Sequence, residues 1–147
     1  MEEAANWTAD DVKYRDPTVV AVLNLVTLGI YWFYLVYVWS DETNRLLGRY
    51  KYPPGLMLLI SILTCGLAGC VVECLIAADL GGEAAERQCW PPNQNLLAWV
   101  IALNISAFIA AAVLPLVGLF VSIPLGVAAT VMVQIELNKF SRRNAAY

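Results

Sequence analysis

Three long stretches of the chain carry almost no charge. Residues 18–39 contain no Asp, Glu, Lys or Arg, residues 53–78 contain only Glu73, and residues 91–135 contain none. An apolar run of about 18 or more residues reads as a membrane-crossing helix, since about 20 residues at 1.5 Å each traverse the hydrocarbon. The third run is too long for one crossing. From Leu96 to Val133, a single helix would extend about 57 Å against a core of roughly 30 Å. It is expected to turn back at Pro115 and Gly118, where proline breaks the helical ladder and glycine tolerates turn dihedrals. A break at Pro124 would leave a last segment too short to cross.

The pattern therefore predicts an all-α integral membrane protein, a bundle of four transmembrane helices over residues 18–39, 55–78, 96–113 and 119–135. Three spans plus a re-entrant hairpin is the alternative. Residues 1–17 read as an N-terminal interfacial segment, 18–140 as the transmembrane domain and 141–147 as a basic tail. Composition agrees: 60% of residues are hydrophobic and 14% charged, too few charges for the shell of a soluble domain. The net charge of −3 and the lack of a long basic run argue against a nucleic-acid partner.

A repeat runs through the first two segments. LNLVTLGIY at residues 23–31 returns as ISILTCGLA at 60–68, so that Thr27 and Gly29 reappear as Thr64 and Gly66, 37 positions on. Pro17, Pro54 and Pro91 keep the same spacing just before each span, where the first helical turn has no need of an amide donor. Successive spans alternate in direction, so the two units are expected to form an inverted pair. Small residues let helix backbones approach closely. Thr27, Gly29, Thr64, Gly66, Gly69, Cys70 and Cys74 therefore read as a helix-packing seam.

Lys13, Arg15, Arg87, Lys139, Arg142 and Arg143 would lie on one side of four crossings and Arg45, Arg49 and Lys51 on the other. This count favours a cell-membrane protein with both termini cytoplasmic. Glu73 is the one ionisable residue inside a span and is the candidate ion or proton site. The chain has no histidine, no phosphate-binding loop and no catalytic triad pattern, which argues against an enzyme. No cofactor and no metal site is indicated.

TLGIYWFY, with an exit of the form Glu-x-Asn, and the later VQIELNKF resemble a small multi-pass bacterial membrane domain of unknown function, the family numbered four-two-three-four. Thr27, Gly29, Ile30 and Tyr31 match its first motif, and Gln134, Glu136, Leu137 and Asn138 its second. Glu42-Thr-Asn44 also echoes Glu136-Leu-Asn138. The spacing to tryptophan departs from the family pattern, and the second Thr-x-Gly lacks its tyrosine. The resemblance implies a prokaryotic membrane protein and no particular reaction. The expected function is a structural or accessory subunit that packs with itself, as a homo-oligomer, or with a membrane-protein partner in the lipid bilayer. A small oligomeric channel or transporter, with Glu73, Asn24 and Asn104 lining a polar path between the repeats, is the alternative.

Overall fold

The computed structural model describes residues 12–87, 93–113 and 117–144. Seven helices make up the regular structure of those residues: α1 (Pro17–Val26), α2 (Ile30–Leu47), α3 (Pro54–Leu63), α4 (Leu67–Gly81), α5 (Glu83–Arg87), α6 (Leu96–Val113) and α7 (Val117–Asn144). The helix starts follow from local chemistry. Asp16 caps α1 by accepting from the Thr18 amide at 2.7 Å, with Pro17 as the first helical residue. Pro54 is likewise the first helical residue of α3, behind Pro53 and without a side-chain cap.

The expected continuous helices over 18–39 and 55–78 are each interrupted at the repeated motif. Thr27 ends α1, and Leu28 and Gly29 then take positive φ of 50° and 90°. Thr64 ends α3, and Cys65 and Gly66 follow at 51° and 93°. Glycine adopts this left-handed conformation freely, whereas leucine and cysteine do so at a cost. Each break has the same hydrogen bonds. The Gly29 amide donates to the Asn24 carbonyl and the Gly66 amide to that of Ser61. The threonine hydroxyl staples the two helices, donating four residues back (Leu23 or Ile60 carbonyl) and accepting from four residues on (Tyr31 or Ala68 amide).

After each break the chain folds back. Arg15 Nη1 lies 2.9 Å from Glu42 Oε1, although a continuous helix would hold these residues about 40 Å apart. In the second unit Lys51 Nζ meets both Asp79 carboxylate oxygens at 2.8 Å, and the Tyr52 hydroxyl donates to Asp79. In the third, Asn93 Nδ2 donates to Glu136 Oε2 at 3.0 Å, bringing the start of α6 beside the end of α7. Cross-links join these ends to one another. Asn44 accepts from the Lys51 and Tyr52 amides and donates to the Tyr52 carbonyl. Asn138 treats Arg15 alike, accepting from its amide at 3.1 Å and donating to its carbonyl. Arg15 and Tyr52 each stand two residues before a repeat proline, so the two asparagines are matching clamps.

Three helical hairpins thus share one polar end, where the described loops also lie. The two repeats enter from that end in the same sense, which corrects the inverted pair. The sequence pattern hid this because charge-free length is the same for a crossing and for a hairpin of two short arms. Among the described residues, α6 (mean hydropathy 2.3) and the Phe120–Ser141 part of α7 (1.7) are long and apolar enough to cross a membrane; α1 and α3, about 15 Å each, are not. The expected spans 96–113 and 119–135 thus coincide with span-length helices, whereas 18–39 and 55–78 are each a hairpin of two shorter arms, so four spans are not found among the described residues. Arg45, Arg49 and Lys51 correspondingly share an end with Lys13, Arg15 and Lys139 instead of facing away from them.

The core lies beneath the polar end, where Leu35, Trp39, Ile76, Leu80, Val100 and Leu137 are fully or nearly fully buried. The hairpin tips are apolar and exposed: Leu28 is 78% accessible and Phe120 80%. Val12 is buried, so the end of the expected interfacial segment belongs to the core. Residues 1–11, Cys89, Trp90, Pro91 and Pro115 lie outside the described residues, as do 145–147 of the tail, whose first residues continue α7. Pro124 sits inside α7 without ending it.

Each stapling hydroxyl gives one hydrogen bond that the backbone cannot replace. Thr27→Val and Thr64→Val are each expected to lower stability by about 1 kcal/mol, with the double change near-additive, in thermal unfolding followed by circular dichroism.

Candidate functional site

α4 carries Glu73 roughly midway between the second hairpin's tip and the polar end, facing α6, α7 and the first hairpin. The side chain is 1% exposed. Asn104 Nδ2 on α6, which also donates to the Val100 carbonyl, reaches Glu73 Oε2 at 3.3 Å. Trp32 and Thr130 flank the carboxylate with further donors. Glu73 Oε1 is buried and has no hydrogen-bond partner among the described residues. A buried carboxylate oxygen without a partner is costly, and Glu73 is among the residues lining a cavity of about 380 Å³.

Both helix breaks line this cavity. Leu28 and Gly29 come from the first, Cys65 and Gly66 from the second, with Phe33, Phe108 and Asn24 completing the walls. Trp32 is seated by Gly69, where a Cβ would stand 2.2 Å from the indole ring. The residues expected to form a packing seam therefore divide. Thr27, Gly29, Thr64 and Gly66 make the two breaks, whose left-handed backbone a packing face does not require. Gly69 receives Trp32 within the chain, and Cys70 and Cys74 are half-buried along α4 beside Glu73. Among the described residues no three His, Cys, Asp or Glu side chains form a metal-binding group.

The second motif builds the polar end. Trp39 Nε1 donates to Gln134 Oε1 at 2.9 Å, and Gln134 Nε2 passes the network to Asn138 Oδ1. Glu136 accepts from Asn93 and Lys139. Tyr31 follows the first break, with its ring 5.5 Å from that of Tyr34. Burial pushes the Glu42 carboxyl above the usual carboxylate range, with the Arg15 guanidinium opposing. Burial and the adjacent Asp79 carboxylate raise the Tyr52 phenol as well. Sequence reasoning grouped Asn24 and Asn104 with Glu73 on one polar path, and the three do line one cavity; it passed over Trp32 and Thr130 as its neighbours. Thr130 was visible only as an isolated polar residue in an apolar run, the one available signal.

Residues 15–80 match the profile of a domain of unknown function, DUF4234. The match is less than half of the chain. It covers the first two hairpins, α1 to α4, and stops before the Gln134–Asn138 motif. No curated protein and no solved structure matches the chain.

Proposed function

We propose that the protein is a non-enzymatic, membrane-embedded binding protein of the carrier or channel class, in which Glu73 receives a proton or a cation. The observation that carries this reading is the buried Glu73, one carboxylate oxygen without a partner among the described residues, in the wall of a cavity that two matching helix breaks also line. Ionisable groups are expensive in hydrocarbon and mark ion or substrate sites there. Paired glycine interruptions in corresponding segments recur at transporter binding sites.

The bilayer is the natural solvent for the surface. α6 is uncharged and exposes Trp99, Ile101, Ile105, Ile109 and Val113, a far larger apolar face than a soluble monomer presents. The described Lys and Arg side chains gather at one end. By the positive-inside tendency this end faces the cytoplasm, with the hairpin tips in the hydrocarbon of the cell membrane. The same α6 face supports a second reading, an accessory subunit covered by a partner or by another copy. Native mass spectrometry from gentle detergent distinguishes a lone chain from a defined assembly.

The test of the main reading is chemical. A hydrophobic carbodiimide reacts with protonated carboxyls in apolar surroundings. In proteoliposomes we expect one dominant intramembrane adduct, mapped to Glu73 by peptide mass spectrometry and lost in Glu73→Gln. An unlabelled Glu73 in a protein that remains folded overturns the reading.

A further inference from the structure

We infer that the Glu73 cavity takes a lipophilic organic ammonium, with its charged head toward the Glu73 carboxylate and its hydrocarbon in a neighbouring apolar groove. This rests on the binding reading above and narrows it to a ligand class.

The cavity is poorly made for an inorganic ion. Hard cations collect six or more oxygen ligands, whereas Glu73 is the one carboxylate among the described lining residues and Asn104 turns its amide nitrogen, a donor, toward it. The walls instead combine one negative charge with the aromatic rings of Trp32, Phe33 and Phe108. A carboxylate with aromatic faces suits an alkylated ammonium, whose charge is diffuse and weakly hydrated. A volume of about 380 Å³ is also generous for a bare ion.

A second observation points the same way. Between α4 and α6 runs a groove of about 500 Å³ walled by Leu67, Val71, Leu75, Ile101, Ile105 and Ile109. It shares Cys70, Asn104 and Phe108 with the Glu73 cavity. Head site and tail site are therefore neighbours that share these three wall residues. A tail leaving lipid for this groove gains mainly by fit. Entry between the apolar hairpin tips suits a ligand arriving from the hydrocarbon.

The experiment uses the full chain in phosphatidylglycerol nanodiscs and reads carbodiimide labelling of Glu73. Decyltrimethylammonium should protect Glu73 about tenfold more effectively than decanol at matched membrane concentration, and better than tetramethylammonium. Sodium and potassium should not protect. Adding phosphatidylethanolamine to the nanodiscs separates the sources: protection by this lipid alone identifies a headgroup amine as ligand, and its lack leaves a free ammonium. Labelling that sodium or potassium suppresses as well as decyltrimethylammonium does, or that no ammonium suppresses, overturns the ligand class while the Glu73 site stands. Failure to label Glu73 at all removes both.

Discussion

Asn138→Leu detaches the first hairpin from the end of α7 and lowers stability by about 3 kcal/mol. The side chain is 5% exposed and makes three hydrogen bonds, two to the Arg15 backbone and one from Gln134. Leucine is nearly the same size, so packing is little changed and the loss is polar. Each partner left unsatisfied in the protein costs about 1–3 kcal/mol, moderated because Arg15 is only partly buried and can reach water. Asn44→Leu acts through the same geometry on Tyr52, across eight residues instead of 123. It should cost less in assembly, since the 44–52 loop keeps its ends together by chain connectivity. Thermal unfolding in detergent should rank Asn138→Leu below Asn44→Leu. The reverse order would mean that the long-range clamp contributes little.

Gly118→Ala is the second large effect. A Cβ at this position would stand 2.0 Å from the Ala110 carbonyl oxygen and 3.1 Å from the Ala111 Cα. Both are backbone atoms of the facing helix, so no rotamer change relieves the clash, and α6 and α7 must separate near their tip. We expect a loss of about 3 kcal/mol, at the upper end of overpacking costs. Gly69→Ala is the instructive contrast. Its Cβ meets the far end of the Trp32 ring, which can swing aside, but that ring flanks Glu73. Gly69→Ala should therefore impair Glu73 protection by decyltrimethylammonium more than it lowers stability, and Gly118→Ala should do the opposite.

Much of this architecture was written in the residue order, though its geometry was not. The 37-residue echo of Thr-x-Gly and the pairing of Glu42-x-Asn44 with Glu136-x-Asn138 were visible as repetition. Neither said what was repeated. A glycine in an apolar helix reads identically whether it admits a neighbour, as Gly69 does, or turns the chain, as Gly29 and Gly66 do. The distinction lies in the positive φ of the glycine and of the residue before it, Leu28 or Cys65, types that rarely mark a turn. A charge-free run measures how much chain is apolar, and a hairpin with two short arms satisfies it as well as one crossing does. The clamp from Asn138 to Arg15 decides between them, and no local pattern records a contact across the length of the molecule. Glu73 stood out as a lone charge, yet Trp32, Asn104 and Thr130 reach it from three other helices.

The fold-back at Thr27–Gly29 is the claim on which the cavity and the one-sided polar end both depend. It is tested most directly by electron–electron distance measurement between spin labels at Lys13 and Asp41, in lipid, with the four native cysteines replaced. The hairpin places the two backbones side by side, since the Lys13 amide donates to the Glu42 side chain at 3.3 Å, and predicts a label separation below about 20 Å. A continuous membrane-crossing helix predicts about 40 Å, and that result would contradict the fold described here.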